Sequence, residues 1–232
     1  MQKYILAISL VLAVAVVFTS RYVLASDNDG VKGEVAQYVI QIGLASQLAI
    51  EGRQTESPLV LAAAAEILAN ININEEAQDK TQEGGDQSAI RPDGPVAGIQ
   101  LDAIALYDEA FALANGQNNE ALAGVIAAQK TNVGSRQSTH YVVSHNDSVR
   151  PRTRDVYTHS FNGGEEATVL VVANGEYDID LQIYDMNNNL IAEDLDYTSV
   201  GLCKWIPKIT QEYKIKVVNG TSNWVDYAIF SN

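Results

Sequence analysis

The sequence predicts a segregated α+β protein: a small N-terminal unit of about four helices, then an antiparallel, jelly-roll-like β-sandwich. Three observations lead there. Apolar residues recur at spacings of three and four from Val31 onward, the stripe of amphipathic helices. Beyond residue 139 the pattern becomes alternation, broken by Asn/Gly turns about every ten residues. Composition shifts at the same place, from Ala, Leu, Gln and Glu to Val, Ile, Tyr, Thr, Asn and Gly.

Residues 1–25 read as an address. Lys3 precedes an uncharged apolar run, Tyr4–Phe18, and Val23 and Ala25 stand at −3 and −1 of a cut before Ser26. This is the layout of a secretory signal peptide, and the run is shorter than the roughly 20 residues of a spanning helix. Arg21, between the run and the cut, leaves an uncleaved N-terminal anchor as the alternative. Either way the remainder is expected outside the cytoplasm, secreted or periplasmic, with no membrane span once the signal is gone.

The helical region is residues 26–133. Val31, Val35, Tyr38, Val39, Ile42, Ala45, Leu48 and Ala49 form one apolar stripe, with Gly52 as its expected stop. Ser57-Pro58 supplies a cap and a first-turn proline for a helix over 58–70. Residues 72–95 are polar and acidic and read as a mobile loop. A third helix is expected over 96–114, ending at Asn115-Gly116, and a fourth over 119–129. Two helical hairpins of this kind pack as a small bundle. No 34-residue repeat signature marks a peptide-binding solenoid. Residues 130–138 read as a polar linker.

The sandwich is residues 134–232. Strands are expected at 139–144, 155–162, 167–173, 180–185, 190–194, 202–206, 213–218 and 227–230.

Charge and cysteine content exclude several functions. The chain of 232 residues carries a net charge of −14. Residues 26–133 hold 16 acids against 5 bases, and 134–232 hold 13 against 8. Such acidity argues against nucleic acid, which needs clustered cations, and against basic attachment to anionic lipid. The single cysteine, Cys203, excludes an intrachain disulfide framework and a cysteine-based zinc site.

In the second half, several motifs follow one another: Phe161-Asn-Gly-Gly-Glu-Glu-Ala167, Asp178-Ile-Asp-Leu-Gln-Ile-Tyr-Asp185, Met186-Asn-Asn-Asn-Leu190, Cys203-Lys-Trp-Ile-Pro207, Glu212-Tyr-Lys-Ile-Lys-Val-Val-Asn219 and Tyr227-Ala-Ile-Phe-Ser-Asn232. In this order they resemble the bacterial pre-peptidase C-terminal domain over about residues 139–232. The resemblance implies a jelly-roll-like accessory module of exported proteins, not a catalyst. In peptidases such modules are often cleaved off, or help with secretion or substrate adhesion. No peptidase motif accompanies it in this sequence.

Asp178 and Asp180 fall on one face of an extended segment, where two carboxylates beside a loop suit Ca²⁺, a hard cation taking six to eight oxygens. Asp194 and Asp196 are candidates to join them, with Glu176 from the turn. The other reading is solvated turn acids that blunt a sheet edge. Calcium is therefore the one candidate cofactor. The spacing of Asp185, Asn187, Asn189 and Asp196 imitates an EF-hand loop, but Leu190 stands where Gly is needed, so a hairpin is expected.

Catalytic signatures are missing from the sequence. There is no H-E-x-x-H, no G-x-S-x-G and no phosphate-cradling loop. His140, His145 and His159 sit near strand ends and turns. Trp205 is expected in the core, and Trp224, in a polar loop, is the better candidate for a sugar platform. Cys203 is expected to be buried. Arg150, Arg152 and Arg154 alternate around Pro151, as a solvated edge or as a contact for the acidic helical half. The expected function is thus a non-enzymatic exported module that binds or assembles with an envelope or extracellular protein or glycan. Its alternatives are a Ca²⁺-dependent binder and an enzyme with an interdomain site.

Overall fold

A computed structural model describes residues 33–85, 90–91, 101–133, 141–174 and 177–232. The signal segment, His140, Arg136, Glu176 and most of the expected linker lie outside the described residues.

Four helices come first: α1 (Glu34–Gln54), α2 (Pro58–Leu68), α3 (Ala103–Gly116) and α4 (Glu120–Lys130). Asp102 caps α3 by accepting from the Ala105 amide at 2.8 Å, and Asn119 caps α4 through Leu122 N at 3.2 Å. Ser57 does sit at the N-cap of α2, but its hydroxyl makes no capping bond. Each helix packs on the one before it. Arg53 reaches from α1 to Glu109 of α3 at 2.9 Å, and Tyr107 donates to Glu66 of α2 at 2.6 Å. Gly52 does not end α1. It lies inside the helix, buried, and a Cβ there would stand 2.8 Å from Leu61 Cγ. Its role is to let α2 approach.

Ten strands form two five-stranded sheets. They are β1 (Asn72–Glu75), β2 (Lys80–Glu83), β3 (Tyr141–Val149), β4 (Arg154–Phe161), β5 (Ala167–Ala173), β6 (Asp180–Asp185), β7 (Leu190–Asp194), β8 (Val200–Trp205), β9 (Gln211–Val218) and β10 (Val225–Ser231). One sheet runs β1-β3-β10-β5-β8 and the other β2-β4-β9-β6-β7. All neighbours are antiparallel except β1 and β3. The Asp185–Asn189 turn is a hairpin: the Asp185 carboxylate accepts the amides of Asn187 and Asn189 at 2.9 and 2.8 Å.

The structure corrects the organisation expected for 72–95. Residues 72–83 are not a loop. They form a strap whose first strand extends one sheet, in parallel with β3, and whose second extends the other, against β4. The helical region therefore supplies an edge strand to each sheet of the sandwich.

A second link joins the halves. Strand β5 is buried at all seven positions. Val169, Val171 and Ala173 face the space between the sheets, whereas Leu170 and Val172 face the helices. Alternate residues point to opposite faces, so a strand buried on both reads as an unbroken apolar run. Helix α1 lies over this sheet, and a Cβ on Gly43 would stand 3.2 Å from Leu170 Cδ1. The result is three layers, helices on sheet on sheet, with two apolar cores. No helix among the described residues is long and apolar enough to cross a membrane.

Candidate functional site

The acids singled out as calcium ligands are brought partly together. The Asp180 carboxyl is held above its ordinary range by burial, then by the nearby charges of Asp178, Asp194 and Glu193. Asp194 is already engaged: one oxygen accepts from Leu202 N at 2.8 Å and the other from Asp196 N at 3.2 Å. Among the described residues, no three His, Cys, Asp or Glu side chains converge so as to hold a metal. Replacing a crowded carboxylate by its amide relieves repulsion without changing shape. Asp180→Asn should therefore raise neutral-pH stability by ~0.5 kcal/mol or less, the group being part-exposed and screened by solvent. Thermal melts in EDTA and in millimolar Ca²⁺ check this together with the cation. Coincident wild-type curves, with the variant melting slightly higher, are the expected result.

Trp224 is half-buried, and the Arg150 guanidinium lies 5.8 Å from the centre of its ring. That cation–π contact occupies one face of the proposed sugar platform. Arg154 instead reaches Glu83 of the strap at 3.7 Å, and Arg152 takes a left-handed turn position with φ 54°. Trp205 packs edge-on against Phe161 and Tyr213, with ring centres 4.8 and 5.2 Å away. Cys203 is buried beneath β6, its thiol 3.7 Å from Leu181 O. Burial, with the charges of Asp194 and Glu193, pushes it up to about 12, so it stays a protonated thiol.

A concavity lies elsewhere. A cleft of about 490 Å³ opens where the start of α1 meets the ends of β3 and β4. Val35, Val143, Tyr141 and Phe161 give it apolar walls, while Glu34, Glu165 and Glu166 bring three carboxylates. Tyr141 is half exposed. Asn162 donates to Glu165 at 3.1 Å, and Lys204 lies 3.7 Å from Glu166. His159 also lines the cleft, its ring edge-on to Phe161 at 4.8 Å. Burial lowers its pKa, offset in part by Glu76, so the imidazole is neutral at pH 7. A catalytic base needs a partner that orients it, and His159 has no hydrogen-bonded carboxylate among the described residues. The cleft offers recognition groups: hydrogen-bonding atoms, acids and an aromatic face. Sequence reading missed it because its walls come from four separate segments.

A second polar centre lies between the sheets, under the strap. Lys80 Nζ sits 2.7 Å from Asp155 Oδ2, 2.7 Å from Asp147 Oδ1 and 3.0 Å from Ser148 O. Asp155 is fully buried. Gln82 donates to its Oδ1 at 2.7 Å and Tyr227 to its Oδ2 at 2.9 Å. Tyr157 donates to Asp147 Oδ2 at 3.1 Å, and the two tyrosine hydroxyls are bonded to each other. His145 lies 3.3 Å from Asp147. Around this ring, Ser148 and Arg91 both donate to Asp226, at 2.5 and 3.0 Å. The register explains the convergence. Lys80 pairs with Tyr157 and Gln82 with Asp155 in one sheet, and Asp147 pairs with Tyr227 in the other.

No family model matches the chain, and no curated protein matches it. Solved structures do. The pre-peptidase C-terminal domain of a Bacillus anthracis collagenase aligns at TM-score 0.34 and 12% identity, over 38% of this chain and 87% of that one. A Yersinia pseudotuberculosis-derived mitogen gives TM-score 0.33 and 12% identity, over 39% and 84%. The periplasmic inhibitor of g-type lysozyme from Aeromonas hydrophila gives 0.32 and 13%, over 39% and 84%. At these scores and identities the alignments carry no statement about family or role.

Proposed function

We propose that this chain is an exported, non-catalytic binding module that takes a basic segment of an envelope or extracellular protein into the cleft between α1 and the β3/β4 ends. The observation that carries the reading is the cleft's lining: three carboxylates set around Tyr141 and Phe161, on a chain of net charge −14. Carboxylates complement Lys and Arg, and an aromatic face adds cation–π attraction. The N-terminal pattern Lys3, Tyr4–Phe18, Val23/Ala25 supports export. A glycan is the less favoured ligand, since Arg150 already lies against Trp224.

Trp205 packs on Phe161, a wall of the cleft, so its fluorescence reports occupancy. Titration with Lys/Arg-rich peptides should give saturable binding that weakens with salt, and same-length neutral peptides should give none. Glu165→Gln and Glu166→Gln should each lower affinity about two- to fivefold, the scale of an exposed ion pair. Equal binding of neutral peptides, or no binding of basic ones, would sink the proposal.

A further inference from the structure

The Lys80 centre has the parts of a reaction as well as of an ion pair. An amine nitrogen lies 2.7 Å from an oxygen of a fully buried carboxyl group, Asp155, and 2.7 Å from a second carboxylate, Asp147. We propose that Lys80 and Asp155 condense to an intramolecular amide bond that welds the strap to β4, with Asp147 as the proton carrier.

The atoms balance without any added reagent. Lys80 Nζ gives a proton directly to Asp155 Oδ2 along their 2.7 Å contact, leaving a neutral amine beside a neutral carboxyl. Rotation about the Cε–Nζ bond turns the freed lone pair onto Asp155 Cγ, and the N–C bond forms. The oxygen that becomes negative in the tetrahedral intermediate is Oδ1, which already accepts from Gln82 Nε2 at 2.7 Å. A second proton passes from Nζ to Asp147 Oδ1, 2.7 Å away, the Cγ–Oδ2 bond breaks, and the departing hydroxide takes that proton back from Asp147 and leaves as water. Ammonium and carboxylate have become an amide plus one water, and Asp147 ends as it began.

The surroundings favour the forward direction. Amine and acid react as neutral partners, and their 2.7 Å contact lets them exchange the proton that makes them so. Both tyrosine hydroxyls are pushed well above their ordinary range by burial, so they stay protonated beside the two carboxyl groups. The product removes two charges from the space between the sheets and leaves one hydrogen-bonded amide. Only 21% of the Lys80 side chain is exposed, which limits attack by water on the product.

The intact folded chain, purified and held at neutral pH, is measured by mass spectrometry and tryptic mapping. The expected mass is one water below that of its own sequence, with Lys80 uncut by trypsin and its peptide joined to the one containing Asp155. Lys80→Arg keeps the charge and the strap but should retain full mass, which separates the link from a succinimide elsewhere. Asp147→Asn keeps both reacting groups and should slow the mass loss at least tenfold. A folded wild-type chain that stays at full mass would overturn the proposal. So would a Lys80→Arg variant that also loses water, or a link carried by Asp147 in place of Asp155.

Discussion

Lys80→Ala should cost about 3–5 kcal/mol of stability, read as a lower urea midpoint, because it strands a fully buried carboxylate. Asp155 would keep Gln82 and Tyr227 as donors but lose its only cation within bonding distance among the described residues. Asp147 would lose the same partner. The variant also exposes which pH range the centre stabilises. Burial pushes the Asp147 carboxyl up, but the Lys80 bond, the Ser148 amide and the Tyr157 hydroxyl outweigh it and hold it below its ordinary range. A carboxyl with a lowered folded pKa stabilises fully above its unfolded value, near ~4, and that contribution disappears as pH falls through the folded value. The acid side of the stability profile should therefore be shallower in Lys80→Ala than in wild-type chains whose Lys80 is still a free amine. Urea titrations at pH 7 and below pH 4 check both statements.

A fragment of residues 134–232 should show no cooperative melt. Its outer face is built to be covered. Val142, Leu170, Val172, Val200, Ala228 and Phe230 are buried against the helical layer. Each large apolar side chain gains about 1.5–3 kcal/mol from burial, so uncovering the set costs on the order of 10 kcal/mol. Whole domains are stable by only about 5–15 kcal/mol. The fragment also lacks both edge strands of the strap, and with them Lys80. Circular dichroism of the fragment on heating is the test, and a sharp transition near that of the whole chain would contradict it.

Much of the fold is legible in the sequence because its elements are local. Strands β5, β6 and β7 fall at the expected bounds, since Asn-Gly and Asn-rich turns mark their ends. The helices follow their apolar stripes, with Pro58 starting α2. What is missed is tertiary. The strap contains an alternation, Asn70-Ile-Asn-Ile-Asn74, but its second strand is Lys-Thr-Gln-Glu, polar because it faces the buried charges instead of an apolar core. The unbroken run Thr168-Val-Leu-Val-Val-Ala173 signals a strand covered on both faces, a sign that the helices belong on the sandwich. Gly52 looks like a helix stop in sequence, and only the neighbouring Leu61 shows it to be a contact. The cleft and the Lys80 centre draw on strands far apart in the chain, so no local spacing announces either.

The cleft exists only if helices and sandwich act as one body, and equilibrium unfolding of the intact chain tests that directly. Both tryptophans, Trp205 and Trp224, lie in the sandwich, whereas the described helices all precede residue 131. Tryptophan fluorescence therefore follows one half and helical circular dichroism the other. In urea the two signals should superimpose on a single transition with one midpoint. Two separated transitions, the helical signal fading while the tryptophans remain in a folded environment, would contradict the three-layer body and the cleft formed within it.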